Sequence, residues 1–315
     1  MVKKIAYLFP GQGAQYVGMG KDLYDNCAEA RAIFDEADNT LPSIKIKKLC
    51  FEGPIEELTQ TANSQVCILV VSVAALEVLL AAQRRARTTN NNVVTASYAA
   101  GLSLGELTAL VAAKSIEFKD AVRLVRMRGE LMEEASMKNP GSMASIIGLE
   151  PQILKDICAE IGSEIANLNC PGQIAISGRK EAVAECMAVA VEKGAKKAIP
   201  LKVSGAFHSS LMKDAAERFK AELEKVSISV PMIKVVSNVT AGCEVSPEEI
   251  KENLVKQLYS PVRWEESVRK IAGEGVETFF EIGPGNVIRG LLRRIDPRLK
   301  VHNIEKVKDL DICIV

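Results

Sequence analysis

In Gly101-Leu102-Ser103-Leu104-Gly105 a serine stands between two glycines. A serine flanked in this way, after a strand and before a helix, is held on a sharp turn with its hydroxyl exposed as a nucleophile. Serine attacks only when a base takes its proton as the new bond forms. The chain has two histidines, His208 and His302. His302 lies in the polar C-terminal stretch VHNIEKVKD, where nothing around it suggests a site, so His208 in VSGAFHSS is the candidate base. The oxyanion formed on attack needs donors already in place, each worth about 2.7–4 kcal/mol of barrier. The N–H after the nucleophile, that of Leu104, is one such donor. The glycine-rich loop Gly11-Gln12-Gly13 can bring a second close to a ligand.

A third residue stands out by breaking a pattern. Between 117 and 136 the residues Ala121, Leu124, Val125, Leu131, Met132 and Ala135 make one apolar helical stripe, and Arg128 falls in the middle of it. A buried arginine must find an anion, because an unpaired buried charge is costly. Either a core aspartate or glutamate pairs with it, or it waits for an anionic ligand.

The elements around these residues form two patterns. Strand 3–9, a helical region 20–39, helix 64–83, a polar loop 84–92, strand 93–100, helix 106–113 and helix 117–136 alternate as in an α/β fold. From Gly141 the order becomes β-α-β-β-α-β, with Pro171-Gly172 at a hairpin turn, which is a ferredoxin-like unit. α/β material then resumes: helix 210–226, strand 233–238, helix 247–258, strand 275–282 and helix 286–294. The expected architecture is a parallel-sheet body from 1–136 and 203–315, carrying an inserted subdomain at 137–202. A cleft between the two is a natural place for a site.

Composition excludes several classes. Lysine plus arginine equals aspartate plus glutamate at 40 each, so no global charge calls for nucleic acid or an anionic membrane. Local basic clusters occur at Lys45/Lys47/Lys48, Arg84/Arg85/Arg87, Lys196/Lys197 and Arg293/Arg294. The eight cysteines form no C-x-x-C pair, and with two histidines neither a metal cage nor a disulfide framework is expected. The apolar run before Pro10 is too short for a signal peptide, and no stretch is expected to reach the length of a membrane span. A cytoplasmic monomer with reduced thiols is the expectation.

Six stretches in one order, FPGQGAQ, GLSLGE, VRMRGELM, GAFHSSLM, QLYSPVRW and EIGPG, resemble the malonyl-CoA:acyl carrier protein transacylases of fatty-acid synthesis. They are similar also to the acyltransferase domains of polyketide synthases. The resemblance runs from about residue 4 to residue 294 and implies a hydrolase-like α/β body with a ferredoxin-like insert. It implies that Ser103 is acylated, that His208 is its general base and acid, and that the backbone amides of Gln12 and Leu104 form the oxyanion hole. It implies that Arg128 holds the malonyl carboxylate, that Gln65 lines the pocket and that the backbone carbonyl of Gln257 orients His208. Asn169 lies in a recurring motif, and Phe207 resembles the bulky aromatic of malonyl-selective members. The substrates implied are malonyl-CoA and an acyl carrier protein that brings its own phosphopantetheine, with no bound cofactor or metal. Leu102 departs from the family, which usually has histidine there. A trans-acting polyketide acyltransferase, a serine acyl hydrolase and a non-catalytic carrier-binding module are the competing readings.

Overall fold

The computed structural model describes residues 4–87 and 96–313. Nine strands form two sheets among these residues: β1 (Ile5–Phe9), β2 (Ala96–Gly101), β3 (Gly141–Ile147), β4 (Glu164–Cys170), β5 (Gln173–Arg179), β6 (Lys197–Pro200), β7 (Lys234–Val235), β8 (Thr278–Ile282) and β9 (Lys300–Ile304). The first sheet has the order β7-β2-β1-β8-β9 and all its pairings are parallel. β1 and β8 are buried along their whole length, as parallel strands covered on both faces must be. The second sheet is antiparallel with the order β4-β5-β3-β6. The helices Pro151–Ile161 and Lys180–Glu192 pack against it around a separate apolar cluster that includes Ile146, Leu154 and Ile176. This is the β-α-β-β-α-β unit that the change of pattern at Gly141 predicts.

Several boundaries differ from the sequence reading. The region 20–39 is two helices, Lys21–Asn26 and Ala28–Thr40, broken at the extended Cys27. The helix expected at 64–83 runs over Thr61–Arg87, so the first residues of the expected polar loop are helical. The remainder of that loop, and the start of the strand expected at 93–100, lie outside the described residues. The same helix corrects a second expectation, since it is long and apolar enough to cross a membrane. Most of it is buried inside the protein, packed against Ala28–Thr40 and Phe118–Lys138, so here it serves as a core helix. His302 lies in β9, an edge strand paired with β8, and its ring packs 5.5 Å from that of Phe280. The helices Ile46–Glu52, Ile55–Leu58 and Trp264–Gly273 have no counterpart in the sequence reading.

The contact between Thr61–Arg87 and Phe118–Lys138 is what sets Arg128 in place. Gly129, the next residue, lies so close to the neighbouring helix that an added Cβ would meet the Cα of Ala62 at 2.6 Å. Alanine in a helix is worth about 1 kcal/mol over glycine. Overpacking against rigid backbone costs about 1–3 kcal/mol or more, and here the backbone has nowhere to go. Gly129→Ala is therefore expected to lower the Tm by a few degrees in thermal unfolding and to reduce acyl transfer by displacing Arg128; an unchanged Tm would show that the helices separate freely.

Candidate active site

β1 and β2 are neighbours, and the loops leaving their C-terminal ends meet. The Leu102 amide donates to the Phe9 carbonyl at 3.1 Å. A Cβ on Gly11 would lie 2.4 Å from the Leu102 carbonyl oxygen, one on Gly105 2.2 Å from the Phe9 oxygen, and one on Gly101 2.2 Å from the Gly105 oxygen. Only glycine permits this crossing of backbones. Ser103 takes φ 50°, rare for a residue with a side chain, and caps the helix Leu104–Ala112. Its conformation is held from three sides. Its N–H donates to Asn238 Oδ1 at 2.7 Å, its carbonyl accepts from Gln257 Nε2 at 3.0 Å, and the Glu106 N–H donates to the same carbonyl at 3.1 Å. Leu104 supplies a first-turn N–H, one of the amides for which a helix has no acceptor of its own.

Arg128 is buried to 1% exposure. Its Nη1 donates to Gln65 Oε1 at 2.5 Å, and its Nη2 donates to Ser103 Oγ at 2.9 Å and to Gln257 Oε1 at 3.0 Å. None of these partners is a carboxylate, so Arg128 makes no direct ion pair with them and the nearest buried acid, Glu106, acts on it only through its charge. Burial pushes its pKa down to about 10, with the charge of Glu106 acting the other way, and it remains a cation at neutral pH. Gln65 is itself fixed by a bond from its Nε2 to Met132 Sδ at 3.4 Å.

His208 also has positive φ, 58°, and is 5% exposed. Its Nδ1 lies 2.7 Å from the carbonyl oxygen of Gln257, and its N–H donates to the Leu258 carbonyl at 3.1 Å. A carbonyl only accepts, so Nδ1 carries the proton and Nε2 is left with its lone pair. Burial, then the charge of Arg128, pushes the imidazole pKa down to about 4, while the bonds to the Gln257 and Ser260 carbonyls act the other way. The ring is a neutral base at physiological pH.

Ser103, His208, Arg128, Gln65, Gln12, Leu102, Leu104, Phe207 and Asn169, nine of the ten residues singled out in the sequence, line one cavity of about 270 Å³. Gln257, the tenth, lies behind it and acts through both its carbonyl and its side chain. Leu102 packs its side chain against the apolar cluster around Ile288 and Leu291, so a leucine here has apolar company. The Gln12 side chain donates to Thr61 Oγ1 at 3.3 Å. A larger groove of about 710 Å³, lined by Glu217, Lys220, Lys251 and others, contains neither a histidine nor a serine turn of this kind. Chemistry rather than size picks the smaller cavity. Among the described residues no three histidines, cysteines or acids come together as a metal would need.

Two residues of this network were not singled out in the sequence. Asn238, in the turn after β7, bonds the Ser103 amide and donates to the Gly101 carbonyl at 2.8 Å. Glu106, fully buried, accepts from the Asn238 N–H at 2.7 Å and from Gln257 Nε2 at 2.9 Å. The final glutamate of GLSLGE is the one signal that pointed to Glu106; Asn238 had none.

A family model described as an acyl transferase domain matches residues 6–303. The malonyl CoA-acyl carrier protein transacylase of Bacillus subtilis is 46% identical over 99% of this chain and 97% of its own. The acyl-carrier-protein S-malonyltransferase of Bartonella henselae superposes with a TM-score of 0.92 at 38% identity, over 99% of this chain and 98% of that one. A malonyl-transacylase solved in complex with a type II PKS acyl-carrier protein does so with a TM-score of 0.92 at 39% identity, over 99% of both chains. With its parallel sheet, its antiparallel second sheet and a serine turn after β2, this chain is an acyltransferase enzyme and belongs to the malonyl CoA-acyl carrier protein transacylase family.

Proposed function

We propose that this protein moves a malonyl group from malonyl-CoA to the phosphopantetheine thiol of an acyl carrier protein, through a malonyl ester on Ser103, for fatty-acid synthesis. The observation that carries this reading is Arg128: a buried cation with no carboxylate contact, whose guanidinium reaches the nucleophile itself. Its planar fork suits a carboxylate. An incoming malonyl carboxylate takes over the Nη2 donor that Ser103 Oγ now occupies, and this frees the hydroxyl for His208. His208 Nε2 then removes the proton as Oγ attacks the thioester carbonyl. The oxyanion is met by the amides of Leu104 and Gln12, and CoA leaves as its thiol with the proton from His208. The carrier's thiol attacks the ester in the same way, so the kinetics are ping-pong. The thiol that receives the group belongs to the partner, and no resident cofactor takes part.

The helix Val287–Ile295 lines the cavity with Val287 and Leu291 and also carries Arg289, Arg293 and Arg294. Arg294 Nη1 donates to Gln173 Oε1 at 2.6 Å, and Gln173 is a lining residue. This basic cluster adjoins a residue that lines the cavity and would suit CoA phosphates and an acidic carrier. Lys47, Arg84 and Arg85 are instead paired with Asp35, Glu77 and Glu29. The segments 1–136 and 203–315 act as one subdomain and 137–202 as the other, with substrate between them: β4 and β5 contribute Asn169 and Gln173 to the cavity, and the body contributes Ser103 and Arg128. A hydrolase would be expected to orient its histidine with an acid; the carbonyl on Nδ1 favours transfer instead.

Incubation with malonyl-CoA is expected to add one malonyl mass to the Ser103 peptide, and acetyl-CoA to add far less. Equal labelling by the two would remove the case for Arg128 as a carboxylate clamp. Truncating one partner of a buried charge pair costs about 2–5 kcal/mol. Arg128→Ala should therefore cut malonyl transfer by roughly two to three orders of magnitude while sparing the slow acetyl reaction.

The pH profile carries a further expectation. The pKa of His208 is lowered, so the base is lost only as pH falls through about 4. The acid limb of kcat/KM, which reports the free enzyme, should lie near that value; a limb near the ordinary histidine pKa of about 6.5 would mean that another group is the base.

A further inference from the structure

Glu106 has no role in the steps above, yet it is tied to them through one side chain. Gln257 accepts from Arg128 Nη2 with its Oε1 at 3.0 Å and donates to Glu106 Oε2 with its Nε2 at 2.9 Å. The amide thus stands between a buried cation and a buried carboxylate. The second oxygen of Glu106, Oε1, is buried and has no hydrogen-bond partner. Above about pH 7, where Glu106 is ionised in the free protein, the two charges balance, one positive and one negative. A malonyl carboxylate on Arg128 adds a second negative charge to the same dry region, and the balance fails by one.

Among the described residues, none of the charges near by offers relief. Arg128, on Phe118–Lys138, is already counted. Glu244, in the turn after β7, is buried, and burial together with the charge of Glu106 pushes its carboxyl well above the usual carboxylate range. Glu249, at the start of the helix Pro247–Gln257, adds a further negative charge that acts on Glu244. His208 faces Arg128 and is neutral. The group with an open oxygen and an intermediate proton affinity is Glu106: burial raises its carboxyl to about 7, against the bonds from Asn238 and Gln257 and the charge of Arg128.

We propose that loading a carboxylate-bearing acyl group on Ser103 is coupled to uptake of one solvent proton by Glu106, with Gln257 joining the acid to the Arg128 clamp. Glu106 is thereby a positioning residue that neutralises the site when the substrate charge arrives. No covalent bond is made or broken at Glu106 other than its own O–H. The inference rests on the malonyl reading of the site. The sign follows from linkage: below about pH 7 Glu106 already holds its proton and loading takes up none, whereas above it loading must bring one in. KM for malonyl-CoA is thus flat on the acid side and climbs toward about tenfold per pH unit on the alkaline side.

The test mixes the purified protein with malonyl-CoA in weakly buffered indicator dye at pH 6 and at pH 8, with the mass of the Ser103 peptide read from the same samples. The expected result is a burst approaching one proton taken up per malonyl group loaded at pH 8, and almost none at pH 6. Glu106→Gln should load malonyl at pH 8 without the burst and lose the alkaline rise in KM. Glu244→Gln should retain both. A loaded Ser103 peptide with no uptake at pH 8 overturns the coupling and leaves the malonyl reading intact. Equal uptake at pH 6 and pH 8 also overturns it, because a histidine with a low starting pKa would then be the acceptor. An absent malonyl adduct fails the transfer reading itself. Should Glu106→Gln not fold, the contrast between pH 6 and pH 8 in the unaltered protein decides alone.

Discussion

A guanidinium held in the core without a carboxylate in contact is the constraint around which this molecule is arranged. Leaving a buried charge uncompensated costs several kcal/mol. Hydrogen bonds to a charged group return about 1.5–3 kcal/mol each, so the bonds from Arg128 to Gln65, Gln257 and Ser103 are what keep it tolerable. Every partner is neutral, which is the useful part. A carboxylate in contact would satisfy the charge permanently and leave nothing for an acyl group to gain. Neutral acceptors hold the cation in place and leave its charge to be claimed. An acyl group without a carboxylate leaves that claim unmade, and an unsatisfied buried polar group discriminates far more strongly than a missing methylene.

The same economy governs the proposed nucleophile and its proposed base. Ser103 and His208 both adopt positive φ, at a cost of order 1–3 kcal/mol each. Such conformations persist only when their surroundings over-determine them. Gln257 does this for both residues, its carbonyl on His208 Nδ1 and its amide on the Ser103 carbonyl. One side chain and its own backbone therefore hold His208, Ser103, Arg128 and Glu106 together. Val262 and Trp264, in the segment that follows Gln257, are completely buried.

What could be read from the sequence was what broke a local rule. Ser103 stood between glycines, Arg128 interrupted an apolar stripe, and His208 was the histidine beside a junction between two patterns. The ferredoxin-like unit was legible because the order of elements changes at Gly141 and each of its helices presents one apolar face. Asn238 was not legible, because an asparagine in a turn is ordinary and its partner lies 135 residues away. The side chain of Gln257 was equally silent, though its carbonyl was anticipated from the family resemblance. Trp264–Gly273 was missed although Trp264, Val268 and Ile271 lie on one face, because the helix is short, ends in glycine and follows a turn that contains Pro261. β9 was missed since half-buried polar residues on an edge strand give no clean alternation. In Thr61–Arg87 the periodic residues were read correctly and the boundaries too narrowly, because a helix buried nearly all round has little polar face to mark its ends.

The oxyanion hole proposed for the amides of Gln12 and Leu104 joins these two lines of reasoning. Its two amides come from loops far apart in sequence, one after β1 and one after β2, and the strands that carry them are paired in register from Tyr98 to Gly101. The loops then touch directly, with Gly11 against the Leu102 carbonyl and Gly105 against the Phe9 carbonyl. Donors fixed before the substrate arrives cost no reorganisation during the reaction, which is why such sites are effective. The glycines that make GLSLGE and FPGQG recognisable are therefore the spacing that lets two backbones cross within reach of one oxygen atom, and the serine between them is placed by that crossing.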